Sequence, residues 1–348
     1  MLTLVILLSF ISQLRVETSS PKVTYPIYSI NNLSGAPFTA RVDTMSIIKE
    51  KKIIKLAYEL TDDFFFVKSK DGYLCICDGI TSTLYIINET GDEICILSHW
   101  HEENGYQIIS DFFVDTQAHT ITILDGIKKQ IQTYDFSGER LSVNDIRLKG
   151  RSTSFWKISD GYYFDNSYSY KGEGASLLRT DQLTRPVTHL FPEKRQLGAL
   201  RAHWHAFYEI SDTLVYNKAY DSVYYNLIDG VLSPRFKLDF GKNAVRDEVL
   251  FQKYDHISDY DDLFEKSACV YFCNVYETKD HIAVRFSCLG KAYLAIISRL
   301  SGTVKVYLTL RDERRKSFYS PKGTFEDWFV LMNPAKKDEL VLCKFALE

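Results

Sequence analysis

The chain has 348 residues, enough for two average domains or for one large repetitive one. Charged residues make up 25% and hydrophobic ones 45%, which excludes a disordered chain and a polytopic membrane protein. With 42 Lys plus Arg against 45 Asp plus Glu the formal charge is -3, so the basic excess of a nucleic-acid binder is missing. Aromatic content stands out, with 23 Tyr and 22 Phe against 8 Pro and 17 Gly. Tyr and Phe suit the half-buried pleated surface of a strand, which points to a β-rich protein.

At the N-terminus, residues 2–11 (LTLVILLSFI) are apolar and a polar run follows at 13–22. A bilayer-spanning helix needs about 20 apolar residues. The shorter run matches the core of a secretory signal, although no basic residue precedes it and no A-x-A-like site follows. Residues 1–22 are expected to be an export segment, and 23–348 a folded domain of the periplasm or cell surface. No other stretch approaches the length of a membrane span. The seven cysteines include no C-x-x-C pair and no zinc spacing with His. Cys75 and Cys77 flank Ile76, so on a strand both face one side; most of the seven are expected as small buried hydrophobes.

The middle of the chain repeats. GYLCICDGITSTLYIINETGDEI from Gly72 and HTITILDGIKKQIQTYDFSGERL from His119 align without a gap at a shift of 47 residues. Asp78-Gly79-Ile80 recurs as Asp125-Gly126-Ile127, and Gly91 as Gly138. A third copy keeps the interval of 13 from Asn217 to Gly230, and a fainter one ends at Ser301-Gly302. Each unit reads as short alternating strands separated by turn residues. The second unit parses into strands A (108–114), B (120–124), C (130–136) and D (139–148), with Ser137-Gly138 joining C to D. Four antiparallel strands in about 40–50 residues make one propeller blade.

Innermost strands are expected to begin near Phe64, Ile108, Ser154, His203, Ala268 and Phe325, giving an all-β, six-bladed propeller. The sixth blade offers two strands, 325–332 and 339–345, where four are needed. Its outer strands are expected from the N-terminal region, with 46–60 (SIIKEKKIIKLAYEL) as donor; such closure removes an exposed edge. Residues 243–265, acidic and irregular, read as an insertion between the fourth and fifth blades.

ISDFFVDTQAHTITILDGIKKQIQTYDFSGERL resembles a family of exported six-bladed β-propellers abundant in Gram-negative gut bacteria. So do Asp221-Ser222-Val223-Tyr224 and the later PRFKLDFGK, which match that family's D-T-I-Y-like and P-x-Y-x-x-D-F-G-K-like strands. The resemblance runs from about Asp43 onward and implies export, often as a lipoprotein, but no activity. Two departures matter. The family's Gly-rich G-x-G-P-G-E-Y-like loop is replaced by HWHEENGY, in which Gly105 and Tyr106 alone keep the pattern. No lipobox-type Cys follows the apolar segment, which argues against a lipid anchor.

In such a blade the D-to-A links and B-to-C loops share one side of the ring, and the A-to-B and C-to-D turns share the other. The first side gathers the richer loops, where binding usually resides. Its sharpest features are His99-Trp100-His101, followed by Glu102, Glu103 and Tyr106, and the second triplet His203-Trp204-His205. On an extended chain the two imidazoles of each triplet point the same way. A catalytic zinc site needs three protein ligands, and neither triplet shows a third, so no metal or cofactor is expected. The acidic run 255–262 lacks the glycine and terminal Glu of a calcium loop. G-x-S-x-G, P-loop, H-E-x-x-H and G-x-G-x-x-G motifs are missing. The resulting expectation is a monomeric, non-catalytic binding or scaffold propeller of the cell envelope that takes a protein or glycan partner and no nucleic acid. The alternative is a glycan lyase or hydrolase, or a metal-dependent lactonase, working at the central channel.

Overall fold

The computed structural model describes residues 24–30, 47–61, 65–98, 105–148, 152–166, 175–192, 206–218, 221–244, 271–288, 291–308, 321–333 and 336–346. Two strands, β1 (Ile27–Ser29) and β2 (Ile48–Lys55), precede the first blade. That blade is β3 (Phe65–Lys70), β4 (Tyr73–Asp78), β5 (Thr83–Ile87) and β6 (Glu93–Leu97). The second is β7 (Asp111–Asp115), β8 (Thr120–Asp125), β9 (Gln130–Asp135) and β10 (Arg140–Asp145). The third is β11 (Ser154–Ile158), β12 (Gly161–Asp165), β13 (Ala175–Asp181) and β14 (Pro186–Pro192). The fourth is β15 (Phe207–Ile210), β16 (Thr213–Asn217), β17 (Val223–Ile228) and β18 (Val231–Asp239). The fifth is β19 (Tyr271–Glu277), β20 (His281–Cys288), β21 (Lys291–Ser298) and β22 (Val304–Leu308). The sixth contains β23 (Gly323–Phe325), β24 (Trp328–Met332) and β25 (Glu339–Phe345). Within each blade consecutive strands pair antiparallel, and the first strand of each lines one central channel.

The hairpins follow local chemistry. Asp71-Gly72 (φ 48° and 79°) and Asp229-Gly230 (φ 50° and 78°) are left-handed at both positions, as the tight two-residue turn between twisted strands requires. Alternation then splits each strand between two seams. On β4, Cys75 and Cys77 pack towards the second blade with Phe112 and Ile123, while Leu74 and Ile76 pack towards the sixth with Val330 and Leu342. Clusters of this kind fill the seam between every neighbouring pair of blades, so the ring closes on itself.

The sixth blade differs from expectation in one respect. The run 325–332 is not a single strand: Glu326 (φ 51°) and Asp327 turn the chain, ending β23 and starting β24. The C-terminal part therefore supplies three strands, and a single N-terminal strand completes the sheet in the order β2-β25-β24-β23. β2 pairs antiparallel with β25 in the register Lys52↔Leu342 and Ile54↔Leu340. Ile54, Leu56 and Leu60 are buried in the seam with the first blade.

A second N-terminal attachment was not anticipated. β1 lies parallel to β18 on the rim of the fourth blade, with Ile27 opposite Lys237. The Ile30 N–H donates to the Asp239 carbonyl at 2.7 Å, and Tyr28 and Ile30 are buried in the seam between the fourth and fifth blades. The expected export segment, and the expected insertion apart from Asn243 and Ala244, lie outside the described residues. Among the described residues no helix is long and apolar enough to cross a membrane.

Cys75, Cys77, Cys95, Cys288 and Cys343 are buried and unbridged. Burial pushes the Cys75 thiol up to about 12 and the Cys95 thiol up to about 11. Thiolate is the reactive form, so none of these five should be modified in the native protein. Mass mapping after brief alkylation at pH 8 checks this; a label on any of them before unfolding contradicts the packing described.

Candidate functional site

The channel is lined by the innermost strands, and two buried carboxylates brace them: Glu277 on its wall and Asp111 behind the lining residue Lys68. Asp111, with no side-chain exposure, sits where β7 enters the ring. Its Oδ1 accepts from the Lys68 ammonium of the first blade and from the Phe112 N–H. Its Oδ2 accepts from Ser154 Oγ at 2.7 Å and the Phe155 N–H at 3.0 Å, both of the third blade. One side chain thus ties three blades. Lys68 also donates to the Phe112 carbonyl at 2.8 Å and lies 5.0 Å over the Phe112 ring.

Glu277 is the counterpart between the fourth and fifth blades. Its Oε1 accepts from Arg235 Nη2 at 2.7 Å and pairs with Arg299 Nη1 at 3.2 Å. Its Oε2 accepts from Arg235 Nε at 3.0 Å and from the Tyr208 hydroxyl at 3.2 Å. Burial, then the neighbouring Glu277 charge, raises Tyr208 well above the ordinary tyrosine value, so it remains a donor. A carboxylate whose oxygens are filled by fixed donors is a structural hub, with no acceptor position left for a substrate. A third pair differs: Lys70 Nζ meets Glu209 Oε2 at 2.9 Å, joining the first and fourth blades from opposite sides of the channel.

The repeated Asp-Gly pair of the B-to-C turns also has a structural role. Asp125 Oδ1 accepts from the N–H groups of Ile127 (3.0 Å) and Lys128 (2.9 Å), folding the turn, while Oδ2 accepts from the Gln107 N–H at 2.6 Å. Asp78 does the same with Ile80 and, through the link into its own blade, with Thr61. A Cβ on Gly126 would lie 2.4 Å from Ser110 Oγ, so a larger residue there would have to displace that hydroxyl. Each latch holds the incoming link against the B-to-C turn of the blade it enters.

Of the residues singled out from the sequence, Tyr106 is described. It is wholly buried, donates to the Ser82 carbonyl at 2.7 Å and lies within 3.0 Å of the Leu97 carbonyl, and packs edge-on against Tyr134. It anchors the link that leaves the first blade and presents no surface to a ligand. His99, Trp100, His101, Glu102, Glu103, His203, Trp204 and His205 lie outside the described residues. The fourth innermost strand begins at Phe207, so the second triplet precedes it instead of opening it. Among the described residues no group of three His, Cys, Asp or Glu side chains has metal-binding geometry.

The family model described as 6-bladed beta-propeller, DUF5128, matches residues 56–331. The chain belongs to this family. None of the curated proteins matches it. A Bacteroides fragilis protein named as a candidate exported protein superposes with a TM-score of 0.72 at 14% identity, covering 93% of this chain and 100% of its own. A member of the DUF4221 family from Bacteroides vulgatus reaches 0.52 at 8% identity, covering 86% and 98%. Virginiamycin B lyase of Staphylococcus aureus reaches 0.46 at 8% identity, covering 85% and 100%, a likeness too loose to carry chemistry. These matches show the fold alone.

In this DUF5128 propeller the channel groups had no signature in the sequence. Lys70 and Glu209 stand 139 positions apart, and each is an ordinary charge ahead of a turn. The one available signal was positional, since both fall one or two residues before an A-to-B turn.

Proposed function

We propose that this DUF5128 propeller is a non-catalytic binding or scaffold protein of the cell envelope, presenting the face of its B-to-C turns and D-to-A links to a protein or glycan. One observation carries the reading: Asp111 and Glu277, the buried carboxylates at the channel, are spent on holding blades together. The apolar segment at 2–11 and the name of the Bacteroides fragilis neighbour support an exported location. His99, Trp100, His101, Glu102 and Glu103 form the first contact segment of the proposal, and His203, Trp204 and His205 the second. Tyr106 serves by fixing where the chain re-enters the fold after the first segment.

The exported form, free of its N-terminal segment, is to be run on a glycan array and used as bait against an envelope extract. Simultaneous alanine substitution of His99, His101, His203 and His205 is expected to weaken the captured interaction about tenfold or more, with the melting temperature unchanged. An interaction unaffected by all four substitutions would show that the partner uses another face.

A further inference from the structure

The channel is a concave, solvent-open cavity lined by residues of all six innermost strands. Its wall is divided by chemistry. Phe113 and Trp156, from the second and third blades, meet edge to face at 5.2 Å, and both are half-buried. Phe112, Phe207, Tyr208 and Tyr276 are the other aromatic residues of the lining. Of the charged residues that line it, Lys68 and Glu277 belong to the two hubs and Lys322 is buried, whereas Lys70 and Glu209 are paired with each other across the channel. They differ from the hubs in exposure: 32% and 26% for these side chains, against none for Asp111 and 1% for Glu277. Among the described residues neither side chain makes a further hydrogen bond.

An ion pair so exposed is worth little and opens easily. What enters between its halves is constrained. An anion alone would answer Lys70 and leave Glu209 facing the channel without its partner, and a cation alone would do the reverse. A ligand that brings both charges replaces both ends of the bridge. An α-amino acid carries them on a single carbon, and an aromatic side chain then has Trp156 and Phe113 to pack against.

We propose that the central channel binds a free aromatic α-amino acid, its carboxylate on Lys70, its ammonium on Glu209 and its ring against Trp156 and Phe113. This site is distinct from the loop face, and its test leaves the loop-face proposal untouched. Isothermal titration of the whole protein with L-tryptophan and L-phenylalanine is expected to show one saturable site. N-acetyl-L-tryptophan and L-tryptophan methyl ester, each lacking one charge, should bind about tenfold or more weakly. Glu209→Gln should abolish the penalty for N-acetylation, and Lys70→Met the penalty for esterification, both with unchanged far-ultraviolet circular dichroism. Trp156→Ala should weaken the free amino acid while preserving both penalties. The proposal is overturned by the lack of a saturable signal with either amino acid at about 10 mM. It is equally overturned if the blocked forms bind as tightly as the free one, or if the penalties survive Glu209→Gln and Lys70→Met.

Discussion

Replacing Asp111 by alanine is expected to lower the unfolding free energy by about 3–5 kcal/mol, the usual cost of removing one partner from a buried ion pair. The loss is large because several donors are orphaned together. The Lys68 ammonium, the Ser154 hydroxyl and the Phe155 N–H all converge on this carboxylate, whose side chain has no exposure. Denaturant unfolding measures the effect as a lower midpoint at constant slope. Asp92→Ala, in an exposed C-to-D turn, is the control and should cost under about 1 kcal/mol. Equal losses for the two variants would mean that Asp111 is not the joint of three blades.

The second large effect concerns ring closure. A chain starting at Asp62 lacks β1 and β2, exposes the β25 edge and removes the buried side chains of Ile54, Leu56 and Leu60. At about 1.5–3 kcal/mol for each buried aliphatic side chain, the loss rivals the whole stability of an ordinary domain. The truncated chain is expected to show no cooperative thermal transition and to elute as aggregates. A truncated monomer melting within a few degrees of the full chain would show that the sixth blade holds without its N-terminal strand.

Blade number and ring architecture were legible because they rest on local chemistry. The C-to-D turn glycines Gly91, Gly138 and Gly230 sit in left-handed backbone, and strands between seams need apolar residues on both faces, as β4 and β8 display. The Tyr and Phe excess has the same origin: Phe112, Tyr134, Phe164, Phe207, Tyr216 and Phe286 are buried in the seams. Where the local signal is weak, sequence and structure part. Glu326-Asp327 turns without glycine, so β23 and β24 looked like one strand. β1 has three residues and pairs parallel with a strand some two hundred positions away, a contact that alternation does not announce. Tyr106 shows the same limit at the site. An aromatic residue after a loop glycine looks alike in sequence whether it meets a ligand or, as here, donates its hydroxyl to a buried carbonyl.

Binding through one face of the ring is tested by hydrogen exchange of the full chain with and without its captured partner. Slowed exchange is expected at residues 99–105 and 203–205 and at the neighbouring B-to-C turns. Amides around Gly91, Gly138 and Gly230, in the C-to-D turns of the opposite face, should be unchanged. Protection confined to those C-to-D turns would contradict it.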